Sequence, residues 1–326
     1  MNPTKKTLTV TALIGLLATA TFAADPVALL TPAAEVKIAS AKGKFDFLEV
    51  DPVHHVLLAA HEKCGTADFI NLADNTLITR VDTGPAVHIA LDTKTDQYFV
   101  SCSDEKKITI LDAKSLKKVG EIATEGELDA LLYEPKVDKV YITNDEGDHV
   151  WVIDPNAQKV AATIDIKGPP EYMVYDPASD RIYLNLKKEN KILVIDPNTN
   201  TAGDMWSTEP AENPHGLGFD PATHTLFAAG GNGFLAAIDL TTGKVTSSAE
   251  IAKGVDQAVF DPKTKKVYCA AGATWTVVKA GKKGLKALGN VAMPATAKNV
   301  AVDPTTDLIW TTYTEGEDSF AKAFKQ

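Results

Sequence analysis

The chain has 326 residues, of which 44% are hydrophobic, so it can bury a large core. It carries 43 acidic against 33 basic residues, a formal net charge of −10. Nucleic-acid binding needs clustered Lys and Arg that replace the counterions of the phosphates, so this balance disfavours a nucleic-acid partner.

Residues 1–23 have the pattern of a secretory signal peptide. Lys5 and Lys6 form a basic start, and an uncharged run follows from Leu8 to Ala20. This run is too short for a membrane span, which needs about 20 apolar residues. Thr21 and Ala23 supply small residues at the −3 and −1 positions, so we expect cleavage after Ala23. We therefore expect a periplasmic or secreted protein comprising residues 24–326, with no membrane span.

An acidic turn recurs through the remaining chain. Its copies begin at Asp51, Asp92, Glu134, Asp176, Asp220, Asp261 and Asp303, and Pro follows in all but the second copy. Successive spacings are 41, 42, 42, 44, 41 and 42 residues. A period in this range is typical of a propeller blade.

Each copy repeats the same order of short β-branched runs and polar turns, which predicts four antiparallel strands. The sequence therefore predicts an all-β fold, a single seven-bladed β-propeller over residues 24–326. Only two strands follow the seventh acidic turn, whereas residues 35–38 form a spare strand ahead of blade one. We expect this N-terminal strand to close the last blade, and the protein to be a monomer.

The run Tyr141-Ile142-Thr143-Asn144 is close to the Tyr-Val-Thr-Asn tetrapeptide of the YVTN-repeat propellers, and residues 150–164, VWVIDPNAQKVAATI, match the body of that repeat. With its signal peptide and seven repeats, the chain resembles the exported YncE-like subgroup. The resemblance implies the propeller fold and an exported location. It implies no particular reaction, because members of this group mostly lack an assigned one.

Polar side chains recur five residues before each acidic turn, where the inner strand of a blade starts at the channel mouth. This position holds Asp46, Val87, Asp129, Glu171, His215, Asp256 and Lys298. Shifting blade two by one residue brings in His88. The predicted axial ligands are thus Asp46, His88, Asp129, Glu171, His215 and Asp256, with a secondary rim of His61, Tyr172, Lys298 and Asn299.

Crowded carboxylates and imidazoles invite a cation or take up protons. The set suits a small ligand or one divalent metal ion, Zn²⁺, Mn²⁺ or iron, and a carboxylate subset suits Ca²⁺. The alternative interpretation is structural. Polar residues at strand starts can bond the loops of neighbouring blades, or a wide channel can hydrate each of them separately.

Three cysteines allow at most one disulfide. Counted from their acidic turns, His61 and Cys102 occupy the same position of adjacent blades. Cys64 and Cys102 could therefore approach each other and pair, although two free thiols are the simpler alternative. Cys269 lies within a predicted strand and is expected in the core. Asp145 belongs to an acidic loop that we expect to be solvated.

Three classes of function remain. The first is a ligand- or metal-binding propeller without chemistry, which we favour over an enzyme. The second is a metal-dependent lactonase or hydrolase of the gluconolactonase type, and the third is a scaffold for a protein partner. The absence of CxxCH argues against covalent haem. Residues 237–244 echo a repeat of quinone-dependent dehydrogenases, but Ser247 replaces the expected Trp, so we expect neither PQQ nor a nucleotide.

Overall fold

A computed structural model of the protein describes residues 29–326. Each acidic turn joins the first two strands of one four-stranded antiparallel sheet. The predicted signal peptide and its cleavage site lie outside the described residues. Residues 29–326 form seven such sheets, one per repeat. The all-β fold, the number of blades and the four strands of each blade are thereby confirmed.

The strands of the first four blades follow one another without crossovers. Blade one contains β2 (Leu48–Asp51), β3 (Val56–His61), β4 (Thr66–Asn71) and β5 (Thr76–Asp82). Blade two contains β6 (Ala86–Asp92), β7 (Gln97–Cys102), β8 (Lys107–Asp112) and β9 (Lys118–Ala123). Blade three contains β10 (Leu128–Glu134), β11 (Lys139–Asn144), β12 (His149–Asp154) and β13 (Lys159–Asp165). Blade four contains β14 (Pro170–Asp176), β15 (Arg181–Leu186), β16 (Lys191–Asp196) and β17 (Thr201–Ser207).

The last blade differs from the others in taking a strand from the other end of the chain. Blade five contains β18 (Pro214–Asp220), β19 (Thr225–Gly230), β20 (Phe234–Asp239) and β21 (Lys244–Glu250). Blade six contains β22 (Gln257–Asp261), β23 (Lys266–Ala271), β24 (Thr274–Gly281) and β25 (Gly284–Ala292). Blade seven contains β26 (Ala301–Val302), β27 (Ile309–Glu315), β28 (Asp318–Lys325) and, as its outer strand, β1 (Thr31–Ile38).

The acidic residues at the turns serve architecture. The Asp51 carboxylate accepts a hydrogen bond from the amide of Val53 at 2.7 Å. The equivalent carboxylate accepts the amide two residues on in every other blade, from Lys94, Lys136, Ala178, Ala222, Lys263 and Thr305. Such a side chain holds a tight turn by replacing a backbone acceptor. This turn fixes where each inner strand ends.

Burial follows the position of a strand within its blade. The second strand of blade one, β3, is buried along its whole length, whereas the outer strand β21 of blade five alternates between exposed and half-buried residues. Neighbouring blades share their cores: Tyr141 and Val152 of blade three pack with Ile182 and Leu193 of blade four. Removal of these apolar faces from water favours stacking of the blades.

The closure of the ring is confirmed by the pairing of β1 with β28. Val36 lies opposite Ala321 and Ile38 opposite Ser319. Ile38 is fully buried and packs in the cluster that contains Leu57 of blade one and Trp310 of blade seven. Within residues 29–326, the structure contains no helix that is long and apolar enough to cross a membrane.

Replacement of the closing-strand anchor should destabilise the whole propeller. Because Ile38 is fully buried, we expect Ile38→Ala to lower the free energy of unfolding by about 2–5 kcal/mol. The control is Lys37→Ala on the same strand, whose side chain is 57% exposed and which should cost under about 0.5 kcal/mol. Urea denaturation measures both. Equal losses in the two variants would contradict a role for β1 in the core.

Candidate functional site

The predicted ring residues meet at a cavity of about 190 Å³ at the channel mouth. Its volume corresponds to about six water molecules. Five of the six predicted axial ligands line it, together with Lys298 and Asn299 of the predicted rim; the five are Asp46, Asp129, Glu171, His215 and Asp256. Lys44, Phe47, Asp145 and Gln257 complete the wall.

The blade repeat explains why these side chains converge. Asp129, Glu171 and His215 are each the second residue of an inner strand, in β10, β14 and β18 respectively. Asp256 directly precedes β22, and Asp46 lies two residues before β2. Since every inner strand starts at the same face, residues at its start surround the axis.

Most acidic groups of the cavity have a basic partner. Glu171 Oε1 lies 2.6 Å from Lys187 Nζ, and Glu171 Oε2 lies 3.3 Å from His215 Nδ1. At the opposite side of the mouth, Lys44 Nζ lies 2.8 Å from Asp46 Oδ2. A looser pair joins Lys298 Nζ and Asp256 Oδ2 at 3.6 Å. These pairs neutralise most of the negative charge that the ring concentrates.

The contact between Glu171 and His215 favours the charged forms of both side chains. Burial alone would raise the pKa of Glu171, but the contacts with His215 and Lys187 hold that pKa below its ordinary value. The hydrogen bond that His215 donates to Glu171 raises the pKa of His215 against the opposing effect of burial, and the charge of Asp256 adds to the increase. His215 is therefore a more persistent imidazolium than a solvent-exposed histidine.

Asp129 is the exception among the ring residues, because its carboxyl has no hydrogen bond or ion pair with any described residue. Burial, and then the charges of Glu171, Asp46 and Asp145, raise its pKa well above the ordinary value. Burial also raises the pKa of Asp46 to about 6, although Lys44 opposes the increase. Among the ring carboxyls, Asp129 is thus the one without a basic contact partner in the described chain, although the charge of Lys187 acts to lower its pKa. Asp145 in the same cavity likewise has no ion pair with a described residue.

The structure does not bring His88 to the mouth. Its Nδ1 accepts a hydrogen bond from the amide of Leu131 at 2.8 Å, and its Nε2 lies 3.4 Å from Glu49 Oε1. Counted from its own acidic turn with no shift, His88 lies one residue further along the strand than the mouth position. It therefore shares a row with Gln257 and Asn299. Gln257 bonds both backbone groups of Leu48, and Asn299 donates to the carbonyl of Asp46 at 2.8 Å. This inner row joins blades.

Three aromatic rings separate the cavity from the rest of the channel. Phe47 stacks on His88 with ring centroids 4.5 Å apart and on Tyr172 at 5.3 Å. Tyr172 donates its hydroxyl hydrogen bond to Glu49 at 2.8 Å. Phe47 lines the upper cavity, whereas His88 and Tyr172 line cavities of about 280 Å³ on the other side. Of the predicted rim residues, Tyr172 therefore belongs to this aromatic plug.

The remaining rim prediction, His61, lies inside blade one rather than at the cavity. The structure shows all three cysteines as free thiols. Cys102 is buried and donates to the carbonyl of Thr83 at 3.1 Å, whereas Cys64 donates to the carbonyl of Lys42 at 3.6 Å. The two thiols are therefore not joined in this structure. Cys269 is buried in the core, as predicted.

Sequence reasoning missed three charged residues of the site, Lys44, Asp145 and Lys187. Glu146 and Asp148 of the acidic loop are exposed, as expected. Asp145 is half-buried instead, lines the cavity, and burial raises its pKa. Asp145 and Lys187 each directly follow the second strand of their blade, β11 and β15. Counting from the end of that strand, as well as back from the acidic turn, would have found this second row.

A larger cavity of about 710 Å³ lies between blades five and six. Its acidic residue, Asp220, already faces Lys265 Nζ at 3.4 Å, and Asp220 holds a blade turn through the amide of Ala222. Small and hydroxyl side chains make up much of the remaining wall. The axial cavity, which is lined by several carboxyl groups and by His215, is therefore the stronger candidate for a ligand site.

The similarity of this chain to known proteins is limited to its fold. No protein-family model and no curated protein sequence matches the chain. A chain in a crystal structure of the mitotic checkpoint complex superposes with a TM-score of 0.77 at 12% identity, covering 97% of this chain and 99% of that one. A chain of hydrazine synthase from Kuenenia stuttgartiensis gives a TM-score of 0.70 at 12% identity, covering 82% and 92%. At this identity the likeness supports the seven-bladed propeller fold alone.

The pKa of Asp129 should appear in the pH dependence of stability. A folded-state pKa above the unfolded value of about 3.9 stabilises the fold below that value, and this contribution is lost as the pH rises through the folded pKa. Asp129→Asn removes the titration. We therefore expect the variant to melt about 2–6 °C above wild type at pH 8, and the gap to shrink towards pH 4.

Differential scanning calorimetry between pH 4 and pH 8 measures this gap. The control is Asp82→Asn, because Asp82 is exposed at the end of β5. It should shift the Tm little at any pH. A difference between wild type and Asp129→Asn that does not change with pH would show that Asp129 ionises normally.

Proposed function

We propose that the protein is an exported propeller that binds a small, positively charged organic ligand in the axial cavity, without covalent chemistry. The observation that carries the proposal is the unpaired carboxyl of Asp129 among ring residues that already have basic partners. The pattern of residues 1–23 supports export, and the resemblance to the YncE-like propellers supports the same assignment.

Charge selects the ligand class. Lys187, His215, Lys44 and Lys298 offset the carboxylates that they contact. This leaves Asp129, together with Asp145 of the same cavity, to interact with an incoming group. A protonated amine supplies both the opposite charge and hydrogen-bond donors. A charge-assisted hydrogen bond of this kind contributes about 1.5–3 kcal/mol. An anionic ligand would instead face the carboxylates of the wall.

Shape limits the size of the ligand. The cavity of about 190 Å³ holds a group of a few heavy atoms, and the stacked rings of Phe47, His88 and Tyr172 lie beneath it. An amine head group would enter from the mouth and stop at Phe47. Any longer part of the ligand would extend outwards between the loops.

A divalent metal ion is the second candidate, favoured by the carboxylates and the imidazole that share one cavity. Within residues 29–326, however, no three His, Cys, Asp or Glu side chains are placed to hold one ion. A metal would have to draw Glu171 away from Lys187 and His215, which contact it at 2.6 and 3.3 Å. The gluconolactonase-type alternative requires such a metal, and the scaffold alternative requires no ligand.

Calorimetric titration separates these alternatives. Wild type is titrated with ethanolamine, putrescine and agmatine, and separately with MnCl₂, CaCl₂ and ZnCl₂. We expect at least one amine to bind, and Asp129→Asn to weaken that binding about 10-fold or more, the loss of a charge-assisted contact. Asp82→Asn, an exposed carboxylate outside the cavity, is the matched control and should bind as wild type does.

The outcomes discriminate between the functions. Metal binding that depends on Asp129, without amine binding, would overturn the organic-cation proposal and lead to a lactone-hydrolysis screen of the metal-loaded protein. Binding of neither class would favour the scaffold. Amine binding that Asp129→Asn leaves unchanged would place the ligand elsewhere on the protein.

A further inference from the structure

Blade one contains a thiol and an imidazole that approach the same space beside Gly43. A Cβ atom added at Gly43 would lie 3.0 Å from Cys64 Sγ and 3.2 Å from His61 Nε2. The two donor atoms are therefore at most about 6 Å apart. Gly43 is not among the residues with positive φ, so its backbone conformation does not require glycine. The missing side chain keeps this space open.

The ring of His61 is held in one orientation. It stacks on Phe45 with centroids 3.7 Å apart, and Nδ1 lies 2.8 Å from Asp68 Oδ2. Asp68 accepts a further hydrogen bond from Thr66 Oγ1 at 2.7 Å and contacts Arg80 Nε at 3.3 Å. We infer that Nδ1 donates its proton to this buried carboxylate, which leaves the lone pair on Nε2. A carboxylate behind an imidazole is the arrangement that orients histidine ligands of metals.

The Nε2 atom of His61 has no hydrogen-bond partner within the described chain, although the residue is fully buried. A buried polar atom without a partner costs about 1–3 kcal/mol. The lone pair therefore points to a ligand that accepts electron density. The nearby Cys64 sulfur supplies the second donor.

Cys64 is the accessible member of the pair, because it is only half-buried. Burial raises the pKa of its thiol, while Arg80 acts in the opposite direction. At neutral pH the group is thus a thiol, and its hydrogen bond to the carbonyl of Lys42 is long, at 3.6 Å. When a metal ion binds, the sulfur–metal bond replaces the S–H bond and the proton leaves to solvent.

We propose that Cys64 Sγ and His61 Nε2 form a binding site for one Cu(I) ion. Thiolate sulfur is a soft donor that selects Cu(I), and imidazole also suits copper. Zn²⁺ prefers four ligands, and within residues 29–326 no third His, Cys, Asp or Glu side chain joins these two. The site shares no residue with the axial cavity, so it is independent of the function proposed above.

Competition with a Cu(I) chelator tests the site on the full chain. Protein in ascorbate is titrated with Cu(I) bicinchoninate, and loss of the coloured complex reports transfer. We expect wild type to take one equivalent. Cys64→Ser, which keeps the size of the side chain, should weaken binding at least 100-fold because it removes the soft donor. Gly43→Ala keeps both donors but fills the space between them, and should weaken binding at least 10-fold.

Two controls test whether a loss of copper binding is specific to this site. Cys102→Ala removes a thiol that bonds Thr83 away from the site and should leave binding unchanged. Thermal melts show whether each variant remains folded. X-ray absorption of the wild-type complex should show one sulfur and one nitrogen neighbour. The assignment is overturned if wild type retains no Cu(I), if Cys64→Ser binds as wild type does, or if Zn²⁺ displaces the copper.

Discussion

The pairing of β1 with β28 is the interaction on which the other features depend. Seven sheets packed face to face around an axis leave two open faces unless the last blade is complete. β1 supplies its fourth strand, and Val36 and Ile38 anchor that strand in a cluster shared with blade one. Closure fixes the angle of every blade, and it therefore fixes where the seven inner strands begin.

Convergence of the inner strands brings several carboxylates close together at the axis. Their side chains lie in one of two adjacent rows of polar residues that have different roles. The row at the mouth carries charge, and most of its carboxylates have a nearby Lys or His partner, as Glu171 has in Lys187 and His215. The next row inwards carries His88, Gln257 and Asn299, which use their hydrogen bonds to join blades. The functional and the structural interpretations of polar strand starts therefore apply to adjacent rows.

The repeat made most of the fold predictable, because the acidic turns recur at nearly constant spacing and each turn residue has a local role. The same count placed Asp129, Glu171 and His215 at one cavity. It could not decide the position of His88, since a one-residue shift changes the row and the sequence of blade two permits either register. Lys187 was not predicted as a site residue, because it follows the second strand of its blade and the count covered only the inner strands.

The closing strand also determines when the fold can be completed during synthesis. Of the strands described within residues 29–326, β1 leaves the ribosome first and β28 last, so Val36 and Ile38 have no native partner strand until residues 318–325 exist. An unpaired strand with an apolar face is open to pairing with other chains. The growing chain must therefore keep the edge of β1 without its native partner while the strands between β1 and β28 are made, and synthesis of β28 ends that exposure.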